Sequence, residues 1–155
     1  PMGPIELVDS VGLDIAQHVA GILTAASDRE VPANGLAELV DGGLLGRKTG
    51  QGYYRWEDGK AVKPAARGGP VPDDIEDRLI LPMVNEAVAC LSEGVVSDAD
   101  LLDAGVIFGT GFAPFRGGPI NYARERGLDA VAAALKSLAD RHGERFVPHR
   151  DWSTL

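Results

Sequence analysis

Cysteine is almost missing from this chain: its 155 residues hold one, Cys90. A lone thiol closes no internal disulfide, so nothing points to an oxidising compartment. Histidine is scarce too, with three copies at His18, His142 and His149. None has a second His or Cys at ligand spacing, so no metal site is expected. Basic residues are outnumbered, 15 Lys and Arg against 23 Asp and Glu, for a formal net charge of −8. Such a surface repels phosphate backbones and anionic lipid, which argues against nucleic-acid and membrane-surface partners. No apolar run approaches the roughly 20 residues of a membrane-spanning helix. The expected location is cytoplasmic. At 45% hydrophobic and 25% charged residues the composition is that of a soluble globular chain.

What is present is helical periodicity. Ile5, Val8, Val11, Ile15, Val19, Ile22 and Leu23 recur at helix spacing. Gly12 interrupts them and Asp14 follows, which predicts helices over about 4–11 and 15–26, with Asp14 capping the second. A shorter helix is expected at about 33–42. Five glycines between Gly42 and Gly52 then exclude a regular helix, and Tyr53, Tyr54 and Trp56 suggest a short extended piece. Residues 57–73 are rich in Gly, Pro, Ala and charge, as a linker would be. Beyond them a strong helix is predicted at about 73–93, capped by Asp73 or Asp74. Its expected apolar face is Ile75, Leu79, Met83, Val84, Ala87, Val88 and Leu91, with Pro82 bending it. Ser97-Asp98 starts another helix, and two more follow at 119–126 and about 129–141.

These last two repeat the first two. Gly3-Pro4-Ile5 returns as Gly118-Pro119-Ile120, and Gly12-Leu13-Asp14 as Gly127-Leu128-Asp129. The offset is 115 residues at both ends, with six identities in twelve aligned positions and no gap. The expected fold is therefore all-α and duplicated. A first copy occupies 1–60, a linker 61–72 and a second copy 73–155. Helices that precede Gly118 have no counterpart before Gly3, so the first copy is expected to be truncated at its N-terminus, with its apolar faces bare.

Candidate chemistry is thin. No Ser, Cys or Lys stands in a nucleophile motif, and Cys90 reads as a small core residue. The loop Gly46-Arg47-Lys48-Thr49-Gly50-Gln51-Gly52 admits two readings. Its N–H groups could cradle a phosphate, or it is a tight structural turn; the missing strand–GxGxxG–helix context favours the turn. Asp9, Asp14, Asn85 and Glu86 are the polar groups available for acid–base work. Asn85 and Glu86 are expected to satisfy carbonyls freed at the Pro82 bend. Phe108, Phe112 and Phe115 ring the second glycine loop, either as core or as a pocket wall, with core favoured. No catalytic residue emerges.

Pro1-Met2-Gly3-Pro4-Ile5-Glu6-Leu7, Gly12-Leu13-Asp14 and Gly46–Tyr54 together resemble the C-terminal helical domain of 3-hydroxyacyl-CoA dehydrogenases. Leu81–Ala87 and Gly109–Pro119 look like a second, degenerate copy of it. Tandem copies are typical of the multifunctional fatty-acid oxidation type, whose alpha subunit fuses an enoyl-CoA hydratase to the dehydrogenase. The resemblance implies the duplicated helical C-terminal domain of the 6-phosphogluconate/3-hydroxyacyl-CoA dehydrogenase type. It implies NAD as cofactor, held by a Rossmann domain that this chain lacks, together with the catalytic His–Glu pair. It implies an acyl-CoA substrate, the enzyme's own Rossmann and hydratase domains as neighbours, and a thiolase subunit as partner. The family's Asn on the first helix matches Asp77 in the second copy, which is no substitute. An aromatic that approaches the acyl-CoA matches Phe108, here without a hydroxyl. The implied role is to close the substrate side of the cleft and brace the Rossmann domain, without catalysis by the piece alone. The competing class is a stand-alone acidic helical interaction module.

Overall fold

The structure, a computed structural model, describes residues 2–26, 35–65 and 69–154. Pro1, the expected start of the third helix at 33 and 34, and linker residues 66–68 lie outside them. The chain separates into two units, Pro1–Gly69 and Pro70–Leu155.

In the N-terminal unit Pro4 opens α1 (Pro4–Val11), where its missing N–H is harmless because first-turn donors have no helical acceptor. Gly12 ends α1 at φ +117°, a conformation open to glycine, and α2 (Leu13–Ala26) starts at once. Asp14 therefore sits inside the first turn of α2 and is not its cap. Its carboxylate accepts from Lys48 Nζ, and that bond holds its pKa below the usual aspartate range. A short α3 (Leu36–Asp41) follows, then a 3₁₀ turn at Arg47–Thr49. The extended piece is a hairpin of β1 (Arg55–Glu57) and β2 (Lys60–Val62), with Trp56 opposite Ala61. Its turn is Asp58-Gly59, both with positive φ, a strong hairpin signal that the linker-like composition around it obscured. Strand β2 thus runs into the first residues of the expected linker.

The C-terminal unit is built on α4 (Ile75–Ser92), which continues through Pro82. Its buried face is Leu81, Val84, Asn85, Ala87, Val88 and Ala89; Val84, Ala87 and Val88 are buried as expected, whereas Leu79 is exposed. Asn85 joins the buried face because its amide is drawn inward by hydrogen bonds described below. Asp74 precedes α4 but makes no side-chain cap; histidine and arginine side chains hold its carboxylate instead. Asp98 does cap α5 (Ala99–Thr110), accepting from Leu101 N at 2.9 Å. Then come α6 (Pro119–Arg126), α7 (Leu128–His142) and 3₁₀ turns at Glu144–Phe146 and Arg150–Thr154. Leu81, Val84, Val88, Leu102, Ile120, Ala123, Val131, Leu135, Leu138, Phe146 and Trp152 form one core. Each such side chain contributes roughly 1.5–3 kcal/mol by leaving water. Cys90 packs half-buried against this core, as expected. Among the described residues no helix is long and apolar enough to cross a membrane.

Candidate functional site

The glycine-rich turn resolves into the structural reading. Its glycine donors are taken: Gly46 N bonds Gln51 O, Gly50 N bonds Arg47 O, and Gly52 N bonds Tyr54 O. The anion it cradles is internal. The carboxylate of Asp9, fully buried on α1, accepts from Tyr53 N at 3.0 Å, Tyr54 N at 2.8 Å and Trp56 Nε1 at 3.1 Å. A Cβ at Gly46 or Gly52 would overlap Asp9, so both positions require glycine. Lys48 is paired to Asp14, and Arg47 lies 6.0 Å over the Trp56 ring. Asp9 is therefore a clamp that docks the turn and the hairpin onto α1.

The C-terminal unit uses the same device. Asp103 on α5, also buried, accepts from Ile120 N at 2.7 Å and Asn121 N at 3.0 Å. It supplies a negative charge to the start of α6, where helix donors lack partners. Asn85 clips the C-terminal segment to α4. Its Nδ2 donates to Val147 O at 2.9 Å, and its Oδ1 accepts from His149 N at 2.8 Å and Trp152 Nε1 at 2.7 Å. The expectation that Asn85 serves carbonyls at the Pro82 bend is overturned, because a distant strand of chain outcompetes them.

The second glycine loop brings its side chains outward. Phe108 is 89% exposed and Phe115 85%, against the core reading; Phe112 alone packs on the core. Phe108 falls near the end of α5, past the last core contact of that helix. Behind the loop lies an open polar cleft of about 620 Å³, lined by residues that include Asp77, Arg116, Tyr122 and Arg126. Arg116 stacks against the Phe115 and Tyr122 rings at 5.7 and 5.8 Å. Arg126 grips Asp77 with both nitrogens at 2.5 and 2.8 Å, which raises its already high pKa. Asp77 is thus committed to an ion pair with Arg126.

Two further polar clusters lie in the C-terminal unit. His142 and Arg141 at the end of α7 both reach the Asp74 carboxylate, at 3.0 and 2.6 Å. Ser92, Asp151 and His149 lie close, but the hydroxyl donates to Asp151 and the imidazole Nδ1 accepts from Asp151 N. That order does not activate a serine. Among the described residues no group of three His, Cys, Asp or Glu is placed to hold a metal.

A pH dependence follows. Asp74 has its pKa lowered, first by the His142 hydrogen bond, and Asp151 first by Ser92. A depressed carboxylate stabilises fully above its unfolded value of about 3.9 and loses that contribution as pH falls through the folded value. The urea midpoint is expected to fall between about pH 4 and pH 2, and Asp74→Asn to lower it at pH 5 while flattening that slope. An unchanged slope in the variant would remove Asp74 from the account.

The 3-hydroxyacyl-CoA dehydrogenase C-terminal domain family matches this chain over residues 1–56 and 75–154. The chain is 37% identical over 166 residues to the fatty acid oxidation complex subunit alpha of Idiomarina loihiensis, covering 96% of this chain and 23% of that protein. Against the same subunit of Vibrio vulnificus it is 35% identical over 158 residues, covering 96% and 22%. The chain thus spans under a quarter of the length of these relatives. Its fold resembles the crystal structure of 3-hydroxybutyryl-CoA dehydrogenase from Escherichia coli, with a TM-score of 0.77 at 20% identity. That likeness covers 99% of this chain and 51% of the other. At that identity it speaks for the fold alone.

Proposed function

Since the chain belongs to the 3-hydroxyacyl-CoA dehydrogenase C-terminal domain family, we propose that it is the helical part of an NAD-dependent 3-hydroxyacyl-CoA dehydrogenase of fatty-acid oxidation. The observation that carries this is the family match across both units, joined to relatives named as fatty acid oxidation subunits. Those names do not favour a stand-alone interaction module.

The reaction takes a hydride from the 3-hydroxyl carbon of an acyl-CoA to NAD. The glycine-rich turn does not fit the dinucleotide, because it gives Tyr53 N and Tyr54 N to Asp9. The chain's part is to brace the dinucleotide-binding domain and to close the substrate side of the cleft. In this reading it consists of two helical copies, 1–60 and 73–155, with the linker between. Phe108 is the residue offered to the acyl-CoA, and its exposed ring supports that assignment. It contributes apolar contact only. A fused hydratase, a thiolase subunit and a cytoplasmic location complete the proposal.

The purified 155-residue chain is expected to form no NADH from 3-hydroxybutyryl-CoA and NAD, followed by the absorbance of reduced nicotinamide. Turnover that co-purifies with the chain and scales with its concentration would overturn the assignment of a bracing role.

A further inference from the structure

We draw no further inference here: the strongest candidate, the exposed apolar side chains Leu101, Phe108 and Phe115 on α5 and the glycine loop that follows it, carries nothing because nothing in the structure shows what covers them.

Discussion

Asp9→Ala is expected to unfold the N-terminal unit or bring it to the edge of stability. The substitution strands three donors, Tyr53 N, Tyr54 N and Trp56 Nε1, that now face a fully buried carboxylate. Each unsatisfied buried donor costs about 1–3 kcal/mol, so the loss is about 3 kcal/mol or more. A small unit has only a few kcal/mol in reserve. Asp9→Asn keeps the shape but points an amide N–H₂ at one of the donors, and is expected to cost less, about 1–2 kcal/mol. Trp56 reports the transition, with Trp152→Phe removing the only other tryptophan. Urea midpoints for parent, Asn and Ala variants should fall in that order. Equal midpoints for parent and Ala would mean that the turn docks without its carboxylate.

The second large effect concerns Asn85→Ala, which frees the segment after α7. Three hydrogen bonds are lost together, from Asn85 Nδ2 to Val147 O and from His149 N and Trp152 Nε1 to Asn85 Oδ1. With the cavity the expected loss is about 2–4 kcal/mol. Trp152, now buried, should show red-shifted emission before global unfolding, because the segment is held to α4 chiefly at this residue and through Phe146. Parent-like emission and stability would assign the docking to Phe146 and the rest of the apolar contact.

The two clamps differ in how visible they were. Asp9 stands in an amphipathic helix pattern, at a spacing compatible with the buried side, yet a carboxylate there reads as a solvent-facing or acid–base group. Its role depends on two backbone donors and an indole N–H, 44 to 47 residues away. Asp103 is equally quiet in sequence, since its partners are N–H groups and any residue supplies those. The glycines that face them, Gly46, Gly52 and Gly118, were the available signal, because each marks a close approach. Asp58-Gly59 is a further signal, set inside a linker-like stretch.

Helix identity and order were legible in the sequence, as were the Gly12 and Gly127 corners, the repeat and the family resemblance. These depend on local periods, caps and φ preferences, which act within a few residues. Which face of α4 turns inward, which phenylalanines leave the core, and which acids are buried were decided by tertiary structure. Phe108 and Leu79 are apolar by composition but exposed, and Asp9 and Asp103 are charged but buried. The physical reason is that burial follows from what packs opposite. A helix pattern states which residues can be covered, while only the neighbouring segment and its free N–H groups determine which ones are.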